Sequence, residues 1–171
     1  MEEKYKSNFK NTEEVKKIIK KYKINSLLLA LGLAFIPIAL IPYLFIAQSE
    51  TNLRLIVALA VLVVGIILVF VSHFRKNKII EENNSKYTIP AMSFVDFEKK
   101  SRKNIFIKDL IIGILLIVIV GFLYYFLANH TEYLVGENKK YIYSILIFLV
   151  ALALFLIFYS KGKKDAYHIF D

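Results

Sequence analysis

The sequence predicts an all-α, polytopic membrane protein with four transmembrane helices, arranged as two hairpins with basic amphipathic lead-in helices on the cytoplasmic face. Three observations predict it. Four apolar blocks are each long enough, at about 20 residues, to cross a hydrocarbon core of about 30 Å. Lys and Arg crowd at alternate ends of those blocks. The apolar fraction is 57% of 171 residues, with a mean hydropathy of +0.54, above what a soluble domain carries. With four spans removed, too little chain remains for a separate soluble domain.

The first span is expected at Asn25 to Ala47. It holds Pro37 and Pro42, which free the carbonyls of Leu33 and Ile38 and predict a helix kink. The block is longer than a leader's apolar core of about 7–15 residues, and its n-region carries four Glu, so it reads as a span rather than a cleaved leader. The second span is expected at Leu55 to Phe74, the third at Leu110 to Ala128 and the fourth at Tyr141 to Tyr159. The chain then divides into a lead-in (1–23), a first hairpin (24–74), a connector with a basic helix (75–104), a second hairpin (105–160) and a tail (161–171).

Charge sets the orientation. The lead-in holds eight Lys and Arg, the connector eight and the C-terminal tail three, with Lys108 beside them. The two remaining loops hold three in total. By the positive-inside rule both termini and the connector are cytoplasmic, and the net charge of +9 needs no nucleic acid to explain it. Tyr43, Tyr124, Tyr125, Tyr141 and Tyr143 fall at the outer edge, and Tyr22, Phe74 and Tyr159 at the inner edge, as interfacial aromatics should. The abundance of Lys, Ile and Asn fits an AT-rich coding genome and points to a bacterial plasma membrane.

The sequence also admits an internal repeat, against chance matches among a few apolar residue types. A shift of 81 residues lays Tyr43-Leu44-Phe45-Ile46-Ala47 on Tyr124-Tyr125-Phe126-Leu127-Ala128, and Gly32 on Gly113. A shift of 88 lays Ser72 on Ser160, and Arg75 and Lys76 on Lys163 and Lys164. Both halves enter and leave from one side, so the repeat would be parallel, about an axis along the membrane normal.

The local signals lie at the cytoplasmic face. Val15, Ile18, Ile19 and Tyr22 share one helix face, and Lys16, Lys17, Lys20, Lys21 and Lys23 cover much of the rest. Asn11 with Glu14 three residues on reads as a helix start. Such a helix suits the headgroup plane of an anionic leaflet, each lysine there contributing about 1 kcal/mol. In the connector, Lys86 to Pro90 reads as extended or turn. Ser93 reads as a cap, and a helix from Phe94 carries Lys99, Lys100, Arg102 and Lys103 into the third span. With Arg75 and Lys76, these residues form the expected surface for anionic lipid or a partner. Ala30 and Ala34, and Gly113 and Gly121, are the expected close-packing positions.

The spans carry no Asp, Glu, Lys, Arg or His near their middle, which argues against proton-coupled transport. There is no cysteine, hence no disulfide or thiolate chemistry. His73, His130 and His168 lack metal spacing, and no phosphate-cradling loop or nucleophile motif is present. No cofactor is expected. The expected role is a non-enzymatic interaction protein, an immunity factor against a membrane-active toxin or an accessory subunit, with a protein partner or a second copy of itself. The alternatives are a small transporter or lipid-handling protein with a cavity at the Pro37/Pro42 kink, a membrane module of a regulatory system, and a lipid-modifying enzyme using His73, Lys108 and Asp109.

Overall fold

A computed structural model describes residues 9–81, 83, 86–130 and 138–170. Parts of the expected lead-in, connector and second outer loop lie outside those residues. Five helices follow in order: α1 (Thr12–Ile38), α2 (Ile41–Phe45), α3 (Thr51–Glu81), α4 (Ile89–Asn129) and α5 (Asn138–Asp165). Short 3-10 turns stand at Gln48–Glu50 and His168–Phe170. Two-residue strands, β1 (Phe9–Lys10) and β2 (Lys86–Tyr87), pair in parallel and tie the start of the chain to the connector.

Four of the helical segments are long and apolar enough to cross a membrane, which makes this a multi-pass, all-helical membrane protein. Only 11% of the most apolar window is buried in each of α3 and α4. Their Ile, Leu, Val and Phe side chains therefore face outward, which hydrocarbon tolerates and water does not. At 1.5 Å per residue, the 41 residues of α4 extend about 60 Å, twice the core thickness. Its basic first half must project beyond the apolar layer.

The helices stand in a row, α3–α1–α5–α4: α1 packs on α3 and α5, and α5 packs on α4. This arrangement bears on the expected repeat. Gly32 does face α3, and Gly113 does face α5, as matched halves require. A twofold that brings α1 against α5 must also bring α4 against α3, however, and those helices occupy opposite edges of the row. The packing therefore lacks the parallel twofold.

α1 starts where capping chemistry dictates. Asn11 adopts an extended conformation and its side chain accepts the Glu14 N–H at 3.0 Å, with Glu13 and Glu14 in the positive first turn. Asn11→Ala should cost about 1 kcal/mol, seen as a small drop in the melting temperature of the purified protein; no drop would deny the cap its role. α1 then runs unbroken through the expected lead-in into the first span. An in-plane lead-in is thereby corrected, because one continuous helix cannot lie in the headgroup layer and also cross the core.

Two further expectations change. α4 begins at Ile89, not Phe94, with Thr88 as its cap residue. Pro90 sits in the first turn, where a missing N–H costs nothing, so the proline starts the helix instead of delaying it. Ser93 instead bonds back to the Pro90 carbonyl at 3.3 Å. At the other end the kink is a break. Pro37 lies in the last turn of α1, the helix stops at Ile38, and Pro42 opens the short α2. The Arg54 guanidinium donates to the Tyr43 carbonyl (Nε–O 3.0 Å) and lies 4.2 Å from the Tyr43 ring centroid. That accounts for one of the few cations expected outside: it satisfies a carbonyl freed near the end of α2.

Candidate functional site

The largest fully buried apolar side chains gather in a cap at the basic end. Val15, Ile19 and Tyr22 of α1, Ile79 of α3, Ala91 and Val95 of α4, and Ala166, Tyr167 and Phe170 beyond α5 form one buried cluster. The apolar face of the expected lead-in is thus covered by the chain's own connector and tail. Tyr22, expected in the interfacial belt, is 4% exposed and belongs to this core. Asn83 donates from Nδ2 to the Ile169 carbonyl at 2.8 Å, and the Tyr87 hydroxyl donates to Asn83, so the connector is stitched to the C-terminal turn. Burial pushes the Tyr87 phenol above its ordinary pKa.

A polar chain crosses the cap. Lys23 Nζ donates to the Tyr167 hydroxyl at 2.7 Å and lies 4.8 Å from its ring centroid. The same hydroxyl donates to Glu98 Oε2 at 3.1 Å, and Arg102 Nε stands 3.5 Å from that oxygen. Two of the expected surface cations, Lys23 and Arg102, are therefore half-buried tethers. Lys16, Lys17, Lys20, Lys21, Arg75, Lys100 and Lys103 remain exposed around the cap, and Lys99 is half-buried.

A second polar feature lies just beneath, at the basic boundary of the spans. α1 forms its floor, and α3 and α5, which do not pack on each other, form its walls. The space between them is a cavity of about 210 Å³. Asn25, Ser26, His73, Lys76, Lys161 and Asp165 line its charged level, and Leu29, Val69 and Phe158 lie one helical turn deeper. Asn25 and Ser72 hold α1 to α3 reciprocally: Asn25 Nδ2 donates to the Ser72 carbonyl at 2.9 Å, and Ser72 Oγ donates to the Asn25 carbonyl at 3.0 Å. Opposite, Gly162 lets α5 touch Ser26, because a Cβ there would stand 2.2 Å from the Ser26 side chain.

Toward the other end, two apolar grooves flank the α1–α2 break. One, of about 560 Å³, runs past Pro37 and Tyr43 toward Leu59. The other, of about 740 Å³, runs past Leu44 and Gly121 to Tyr143, with Lys139 at its edge.

The expected packing residues divide. Ala30 and Ala34 are buried on α1, and Gly113 meets Ile157 of α5. Gly121 is corrected, since nothing stands within 4 Å of where its Cβ would be. Gly32 and Gly65, not singled out for packing, bring the backbones of α1 and α3 close together. His73 on α3 and Lys108 and Asp109 on α4 stand at opposite edges of the row, so the cluster a lipid-modifying enzyme would need is not assembled. Among the described residues no group of three or more His, Asp or Glu gathers as a metal ligand set.

The fold defines the class, a multi-pass helical membrane protein with a packed extramembrane cap. No protein family, curated protein or solved structure matches the chain.

Proposed function

We propose that the protein is a non-enzymatic interaction protein of a bacterial plasma membrane, with both termini and the connector in the cytoplasm and the spans forming two hairpins. It serves as an immunity factor against a membrane-active toxin or as an accessory subunit of a membrane complex. The cap is the observation that carries this reading. Three of the four largest fully buried side chains, Tyr167, Val15 and Val95, lie there and not between the spans. A preformed surface loses little conformational entropy on binding. Its rim of exposed lysines, with Phe97 at 75% exposure, suits an acidic partner or an anionic leaflet. The orientation rests on the excess of Lys and Arg in the tails and connector.

The test is purification of the full chain in mild detergent from its native host, paired with a deletion strain. The expected result is one reproducible co-purifying protein lost on substituting exposed cap lysines, or heightened toxin sensitivity in the deletion strain. Neither effect appearing would overturn the reading. A second reading, a lipid-handling protein, is favoured by the grooves on both sides of the α1–α2 break. Unlike interaction through the cap, that role should survive the lysine substitutions and fail when the groove at Gly121 is filled.

A further inference from the structure

We propose that the cavity between α1, α3 and α5 binds the headgroup of a phosphoglycerol lipid: a phosphodiester anion carrying a neutral hydroxyl donor. This goes beyond the proposed function and holds for either kind of partner.

Four observations converge. The first is an unmet acceptor. Asn25 is 2% exposed, and its Oδ1 has no hydrogen-bond donor among the described residues. The assignment of its two amide atoms is secure, because the atom facing the Ser72 carbonyl must be the nitrogen. A buried acceptor without a donor is costly and rare, so the site calls for a donor from a ligand. The second is charge. Lys76 and Lys161 stand on the two walls, on α3 and α5, and neither pairs with a described residue. Asp165, also at this level, is 3.7 Å from Lys164, which leaves the rim cationic. The third is layering. One turn deeper than the charged level the lining becomes Leu29, Val69 and Phe158. A molecule with a charged head and an apolar continuation meets both levels in order. The fourth is position. The cavity lies where each helix passes from its apolar stretch to its charged end, the depth of lipid phosphates.

The neutrality of Asn25 selects the donor. An ammonium group brought to the uncharged Asn25 oxygen would lose hydration with no ionic attraction at that atom, whereas a hydroxyl donates there at far lower cost. The phosphate then faces Lys76 and Lys161, and a glycerol hydroxyl donates to Asn25 Oδ1. Ser26 cannot replace it, because its hydroxyl proton already goes to the Tyr22 carbonyl at 2.9 Å.

The test uses the full chain in nanodiscs or detergent, with lipid retention read by native mass spectrometry. Phosphatidylglycerol is compared with phosphatidylmethanol, which keeps the charge and lacks the hydroxyl. The comparison removes the donor from the ligand and leaves the fold intact, since Asn25 also bonds Ser72. Phosphatidylglycerol should be held about three- to tenfold more tightly. The exposed pair Lys76→Gln with Lys161→Gln should weaken it about thirtyfold. Phosphatidylethanolamine and the deacylated headgroup glycerophosphoglycerol complete the set and should both bind more weakly. Equal retention of phosphatidylglycerol and phosphatidylmethanol would make water the partner of Asn25 and overturn the proposal. So would indifference to the lysine pair, or a preference for the ethanolamine lipid. Tight binding of the soluble headgroup would overturn the lipid as its source.

Discussion

Tyr167→Ala will destabilise the protein by about 3–5 kcal/mol, the range for cutting a large buried aromatic to Ala. Tyr167 is 2% exposed and is the largest fully buried side chain. Its ring fills the centre of a cluster drawn from α1, α3, α4 and the C-terminal turn. Its hydroxyl joins Lys23 to Glu98. Removing the side chain therefore leaves a cavity and parts two tethers at once. Tyr167→Phe isolates the second effect, because the ring stays and only the hydroxyl goes. Lys23 is not fully buried, so that change should cost about 1 kcal/mol. Thermal unfolding in mild detergent should rank wild type above Tyr167→Phe, and Tyr167→Phe far above Tyr167→Ala. The Ala variant should also become open to trypsin at Lys16, Lys17 and Lys20 while the spans stay protected. A Tyr167→Ala protein that melts with wild type and resists cleavage equally would show that the cap is not a packed unit.

The spans were legible because crossing a bilayer imposes a length and a composition, and both are local properties of the chain. The start of α1 was legible for the same reason, since Asn11 and Glu14 are three residues apart and the Asn11 side chain accepts the Glu14 N–H. The cap was half legible. The stripe Val15, Ile18, Ile19, Tyr22 announces an apolar face, but periodicity does not say what covers it. The answer lies far along the chain: the Lys23–Tyr167 bond joins residues 144 apart. Anionic lipid or a partner was the expected cover, and the chain's own connector and tail supply it. The cavity was hidden by the same distance. Asn25, Ser72 and Lys161 each look like an ordinary polar residue at a helix end. Only the row α3–α1–α5 sets them around one space. The α4 start was misread because Pro90 has two local meanings, a stop for the residue before it or a first turn. The pairing of β2 with β1 and the burial of Ala91 and Val95 accompany the second.

Small residues on a helix carry a similar ambiguity, and it yields the second large expected effect. Gly32→Ala and Gly121→Ala should move stability in opposite directions. A Cβ on Gly32 would stand 2.8 Å from the Gly65 carbonyl oxygen and 3.0 Å from the Val69 nitrogen. Both are backbone atoms of α3 and cannot rotate away, so the helices must separate. Between membrane helices close packing, not water exclusion, holds the contact. The cost should therefore reach about 1–3 kcal/mol. Gly121 faces open space, where Ala only relieves the conformational freedom of Gly and should stabilise by about 0.5–1 kcal/mol. The reciprocal contact adds a sharper test. A Cβ on Gly65 would stand 2.9 Å from the Gly32 carbonyl oxygen. Once Gly32→Ala has spread α1 from α3, Gly65→Ala meets a gap already opened. The double variant should then lose clearly less than the two single losses together, a coupling expected of residues in direct contact. Melting temperatures of the three variants and wild type, taken in one detergent, decide it. Additive losses would mean that the two glycines act on separate contacts and that α1 and α3 do not meet backbone to backbone.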